Sequence, residues 1–148
     1  MQEKANLFRI LKFYCYNKNM DKKIHILLVD EDEINRRFFG SKLASAGFEV
    51  LYGKDGNEGR EIARRFQPDL ILMDINMPVM DGIKTSSLLK EEKETSNIPI
   101  IFLTNVDLSI EEEKAVKELG VLGCIPKSIE AEEFIKIVKK ALSNHADN

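Results

Sequence analysis

Apolar residues in this chain follow two alternating rhythms. The stretches Ile24 to Val29, Leu70 to Met73 and Ile98 to Thr104 are nearly unbroken apolar runs of strand length. Such runs mark strands buried on both faces, as in a parallel sheet covered by helices. Two further short apolar stretches, 48–53 and 121–125, complete a set of five predicted strands, with the third over 69–73 and the fourth over 98–104. Between them apolar positions recur at three and four residues, and helices are predicted over 33–46, 56–66, 82–93 and 130–144, with one more opening at Ser109. Ile34, Phe38, Leu43 and Ala46 are the expected core positions of the first helix; Phe134, Ile135, Val138 and Leu142 are those of the last.

The boundaries have local chemistry. Gly47 stops the first predicted helix and Gly120 the fourth. Asp55 with Glu58, and Ser109 with Glu112, read as capping boxes. Pro99 falls near the start of a strand, where a missing N–H is tolerated. Five β–α units joined by right-handed crossovers give a doubly wound α/β fold with helices on both faces. The expected architecture is flavodoxin-like, (βα)5, with strand order 2-1-3-4-5 and a site at the carboxyl ends of strands one and three.

Length and composition narrow the class. The 148 residues fit one domain, expected over 24–144, with a leader over 1–23 and a tail over 145–148. The leader stretch NLFRILKFYCY has an amphipathic pattern through Leu7, Ile10, Leu11 and Tyr14, and Met20 is a candidate natural start. It makes a poor signal peptide, because Arg9 and Lys12 interrupt the apolar region. A net charge of −3 with mixed signs gives no nucleic-acid footprint. Cys15 and Cys124 show no metal or disulfide spacing, which fits a reducing, cytoplasmic compartment, and Cys124 reads as a small buried apolar residue. No apolar run approaches membrane-spanning length.

The chemistry gathers at the predicted strand ends. Strand one delivers Asp30 and Glu31, strand three Asp74, strand four Thr104 and strand five Lys127. Taken singly, each has a plain reading: Asp30 or Asp32 as a helix cap, Asp74 and Thr104 as turn residues, Lys127 as a surface lysine. Together on one sheet edge they change meaning. Three crowded carboxylates repel unless a cation joins them, and an all-oxygen set suits Mg²⁺, with Mn²⁺ possible, better than zinc. A hard cation, an ammonium and a hydroxyl around one carboxylate make a phosphoryl site in which the carboxylate can be the nucleophile.

The ordered set LLVDED, LILMDINMPVMDG, IIFLTN and GCIPK resembles the receiver domain of two-component response regulators, of the stand-alone, chemotaxis-regulator-like type. The resemblance covers about residues 23–144. It implies that Asp74 accepts a phosphoryl group from a phosphohistidine on a sensor histidine kinase or histidine phosphotransfer protein. It implies that Asp30, Glu31, Asp74 and the backbone carbonyl of Asn76 hold Mg²⁺, that Thr104 bonds the phosphoryl oxygen, and that Lys127 pairs with its charge. It further implies that phosphorylation repacks the helix 4–strand 5–helix 5 face to change binding of a downstream protein target, and that the chain is a self-phosphorylating acceptor, open to slow autodephosphorylation, rather than an enzyme. Little sequence follows the last predicted helix, so no output domain is expected.

Four positions depart from the usual pattern. Glu31 stands where Asp is commoner, Asn105 where a small residue is usual, and Cys124 where an aromatic switch residue is frequent. Ser128 follows the lysine in place of Pro, which removes the expectation of a cis bond there. Val106 offers no polar group to orient an attacking water, whereas Asn76 does. Two other readings stand beside the first. Asp30 and Asp32 also fit the Asp-x-Asp start of haloacid-dehalogenase-type phosphatases, with Asp30 as nucleophile. A receiver-like scaffold that binds partners without phosphorylation is the other.

Overall fold

The computed structural model describes residues 22–105 and 107–146, with Lys4 and Arg9 as isolated positions. Residues 1–21 apart from those two positions, with the amphipathic pattern expected there, lie outside the described residues, as do Val106 and residues 147–148. The strands are β1 (His25–Val29), β2 (Glu49–Gly53), β3 (Leu70–Asp74), β4 (Ile100–Thr104) and β5 (Gly123–Pro126). The helices are α1 (Glu33–Ser45), α2 (Gly56–Phe66), α3 (Gly82–Glu91), α4 (Ile110–Leu119) and α5 (Ala131–Ala146). All pairings are parallel, in the order β2-β1-β3-β4-β5. This is the flavodoxin-like order expected from the alternation of elements. No helix among the described residues is long and apolar enough to cross a membrane.

Strand alternation divides the apolar residues between two cores. Ile26, Leu28, Leu72 and Leu103 face Phe39 and Leu43 of α1 and Phe134 and Val138 of α5. Leu27, Val29, Met73 and Phe102 face the other side, with Ala63 of α2 and Leu89 of α3. β3 and β4 are buried along their whole length, as the sequence pattern required of central strands. Burying both faces of the central strands is the main source of stability, at roughly 25 cal/mol per Å² of apolar surface.

Several expectations need correcting. In α1 the core side is Phe39 and Leu43; Phe38 is half exposed and Ile34 is 77% exposed. Phe39 wins because its ring meets Phe134 edge-on at 5.1 Å, while Phe38 lies under the Lys42 ammonium at 5.5 Å. Ala46 is the C-cap, and Gly47 beyond it takes a left-handed φ of 95°. In α5, Phe134 and Val138 are buried, while Ile135 and Leu142 pack beside them half-buried. β5 starts two residues later than its apolar run and contains Pro126. Cys124 is exposed rather than buried, because β5 is an edge strand with β4 on one side only.

The caps follow local sequence closely. Ser109 and Glu112 form a complete capping box, and Gly120 closes α4 in the left-handed region. Asp55 accepts the N–H of Glu58, whose carboxylate reaches back to the N–H of Lys54. No peptide bond among the described residues is cis, so Ser128 follows a trans bond.

Candidate functional site

β1 and β3 are neighbours in register, with Val29 opposite Met73. That register sets Asp30, the residue after β1, beside Asp74, the last of β3. Both are buried. β4 and β5 pair Thr104 with Pro126, so Lys127 leaves the sheet just beyond them. The Lys127 N–H donates to the Thr104 carbonyl at 2.8 Å, which ties its loop to the end of β4. Its side chain then reaches back along the sheet edge. The ammonium stands 2.6 Å from Asp30 Oδ2 and 3.2 Å from Asp74 Oδ1, with the Lys127 side chain only 6% exposed.

The remaining carboxylate oxygens differ. Asp30 Oδ1 accepts the Asp32 N–H at 2.9 Å, so both Asp30 oxygens are engaged. Asp74 Oδ1 also takes the Asn76 N–H at 3.3 Å, which leaves Oδ2 without a hydrogen bond among the described residues. Asp32 is the cap of α1, accepting the Ile34 N–H at 2.8 Å. That decides the cap question left open between Asp30 and Asp32.

Two carboxylates share one ammonium, and the electrostatics show it. Burial first, then the charge of Asp30, push the Asp74 carboxyl up to about 6; Lys127 and the Asn76 N–H pull it back by less. A cleft of about 240 Å³ opens over the group, lined among others by Glu31, Asn35, Asn76 and Asn105. Glu31 is exposed on its lip, and Thr104 is buried beside it rather than on its lining. Among the described residues no three His, Cys, Asp or Glu side chains are already arranged as a metal cage. The donor set nevertheless fits Mg²⁺: the acids at the cleft are oxygen ligands in negative excess over the one ammonium.

Two features were not legible beforehand. Gly82 opens α3 with its N–H on the Ile75 carbonyl at 2.8 Å, and a Cβ there would lie 2.0 Å from the Asp74 carbonyl oxygen. A glycine at the start of α3 therefore lets this helix close onto the backbone of Asp74. Arg36 donates from Nη1 to the carbonyls of Asp30, at 2.6 Å, and Glu31, at 2.9 Å. The Asp-Gly pair of the turn hinted at the first; nothing local signalled the second.

Comparison with known proteins agrees with this architecture. Residues 26–139 match the model of the response regulator receiver domain. The chain is 31% identical over 119 residues to the polar-differentiation response regulator DivK of Brucella ovis, covering 80% of this chain and 96% of that protein. The solved chemotaxis protein CheY4 of Vibrio cholerae superposes with a TM-score of 0.75 at 28% identity, over 80% of this chain and 98% of that one. The receiver domain of the sensor histidine kinase PA1611 from Pseudomonas aeruginosa, solved with magnesium coordinated in its active-site cleft, gives 0.75 at 27% identity, over 82% and 99%. The chain belongs to the response regulator receiver domain family, a phosphorylation-controlled signalling module rather than a conventional enzyme.

Proposed function

We propose that Asp74 is the phosphoacceptor of this receiver. The observation that carries the reading is the asymmetry of the two buried acids. Among the described residues, Asp74 keeps one carboxylate oxygen without a partner at the cleft, while Asp30 has both oxygens engaged. The nucleophile is Asp74 Oδ2, attacking the phosphorus of a phosphohistidine. The P–N bond breaks, and its electron pair returns to the imidazole, which takes up a proton. Lys127 stays paired with the charge that develops, and the Thr104 hydroxyl bonds a phosphoryl oxygen. Asp30, Glu31, Asp74 and the Asn76 carbonyl would hold Mg²⁺, which when bound supplies neutralising charge for the phosphoryl oxygens. The same asymmetry counts against Asp30 as a phosphatase nucleophile, and Asp32 is committed to its cap.

The donor is a sensor histidine kinase or a histidine phosphotransfer protein in the cytoplasm, and the output is a protein target rather than nucleic acid. Residues 24–144 act as the receiver unit, with 1–23 and 145–148 as appendages. The signal leaves through α4, β5 and α5. In support, α4 has no fully buried residue, so it is the helix held least firmly by the core. The Lys127 N–H to Thr104 bond couples the ends of β4 and β5 to the site. Hydrolysis of the aspartyl phosphate, with Asn76 orienting water, resets the module slowly.

The test is intact-protein mass after incubation with a small phosphodonor, with and without Mg²⁺, on wild type and Asp74→Asn. A Mg²⁺-dependent gain of one phosphoryl group, absent from the variant, is the expected result. Equal labelling of the variant would overturn the assignment. No labelling of a wild type that binds Mg²⁺, even with a histidine-kinase donor, would leave the scaffold reading.

A further inference from the structure

We infer that Arg36 is a positioning residue for the acidic corner, acting through the backbone of the β1–α1 loop. The inference rests on reading that corner as the cation site. Three residues, Asp30 to Asp32, connect β1 to α1, and the first two supply candidate ligands. Arg36 bonds the carbonyls of all three, the first two through its side chain and the third through the ordinary i to i−4 backbone bond that opens the helix. Its side-chain Nη1 takes those of Asp30 and Glu31, at 2.6 and 2.9 Å, and its own N–H donates to Asp32 at 3.0 Å. A half-buried guanidinium making two charge-assisted bonds to successive carbonyls restricts the rotation of the peptide between them.

This matters most for Glu31. Its carboxylate makes no hydrogen bond or ion pair among the described residues, and it lies exposed on the cleft lip. A free glutamate has several side-chain torsions to order before it can serve a metal. Holding its backbone fixes the point from which that side chain reaches, so the backbone share of the ordering cost is met in advance. Groups that orient metal ligands without touching the metal commonly change affinity by ten- to a hundredfold.

The role can be separated from the charge of Arg36, because the two act in opposite directions. A cation beside two acids opposes Mg²⁺, so losing the charge alone would tighten binding. Losing the clamp would weaken it. The experiment is a calorimetric Mg²⁺ titration of wild type, Arg36→Met and Arg36→Lys, with amide hydrogen exchange at Asp32 and Ile34. Their N–H groups bond Asp30 and Asp32 side chains and report loop order. The expected result is roughly tenfold weaker binding in Arg36→Met, a smaller loss in Arg36→Lys, and faster exchange at both amides. Equal or tighter binding in Arg36→Met, at unchanged melting temperature, overturns the inference. If Arg36→Met folds poorly, Arg36→Lys decides: unchanged affinity and exchange there overturn the clamp. Wild type that takes up no Mg²⁺ fails the cation-site reading and the inference together, whereas wild type and variants that bind alike fail the inference alone.

Discussion

Two clusters of charge in this molecule are balanced in opposite ways. At the carboxyl edge of the sheet, Asp30 and Asp74 share the single ammonium of Lys127, all three deeply buried. Between α2 and the end of α3, the single carboxylate of Glu92 is shared by Arg60 and Arg64, with a side chain 22% exposed. The first arrangement pushes an acid up, Asp74 to about 6. The second pulls one down: the hydrogen bond from Arg60, with the nearby guanidinium charges, holds the Glu92 carboxyl below its ordinary range. An excess of cations around an acid stabilises the fold. An excess of buried acids around a cation destabilises it, and leaves one carboxylate with its proton held more tightly.

Removing the shared cation should break the first cluster most severely. Lys127→Ala leaves two buried carboxylates without a counter-charge, and is expected to lower stability at pH 7 by about 3–5 kcal/mol in urea unfolding. Most of that loss should return at pH 5, where Asp74 is protonated. A Lys127→Ala variant as stable as wild type at pH 7 would show that the pair is not mutually dependent. Phosphoryl uptake should survive in the folded fraction while partner switching is lost.

Relieving the repulsion should do the reverse. Asp74→Asn is expected to abolish phosphoryl uptake and yet raise stability at pH 7 by about 2 kcal/mol, after allowing for screening by Lys127 and solvent. The pH dependence has a definite sign. Asp74 is protonated below about 6 in the folded chain and below 3.8 when unfolded. Between those values the folded state holds the extra proton. Stability from this group therefore rises as pH falls through about 6, and the advantage of Asp74→Asn over wild type should fade towards pH 4. An advantage that stays constant with pH would refute the assigned cause.

The smallest effect belongs to the second cluster. Glu92→Gln should destabilise by about 1 kcal/mol at pH 7, because the pairs are only partly shielded from water. Its sign with pH is opposite. The folded value of Glu92 lies below the unfolded one, so its contribution is present above the unfolded value and disappears as pH falls through the folded one. Melting curves of wild type and Glu92→Gln should converge in acid, while those of Lys127→Ala and wild type converge already near pH 5.

The sequence by itself determined everything with a local cause. Unbroken apolar runs make central strands because both faces are covered; Asp55, Asp81 and Ser109 open helices because their oxygens satisfy free N–H groups nearby. The strand order followed from five β–α units and one crossover hand. The strand-end position of Asp30, Asp74, Thr104 and Lys127 followed from where each apolar run stops. Tertiary structure alone decided what depends on neighbours remote in sequence. Adjacent phenylalanines at 38 and 39 fit a helical stripe about equally well, and only the ring of Phe134 selects Phe39. Cys124 is exposed because its strand is at an edge, a property of the sheet and not of the residue. Lys127 lies 97 residues from Asp30, and no local pattern measures the 2.6 Å between them. Arg36 could be read as a helix-surface cation until folding turned it back onto the carbonyls of Asp30 and Glu31. Local preferences are set within a turn or two of chain, whereas the charge balance of a buried site is set by which strands the sheet brings side by side.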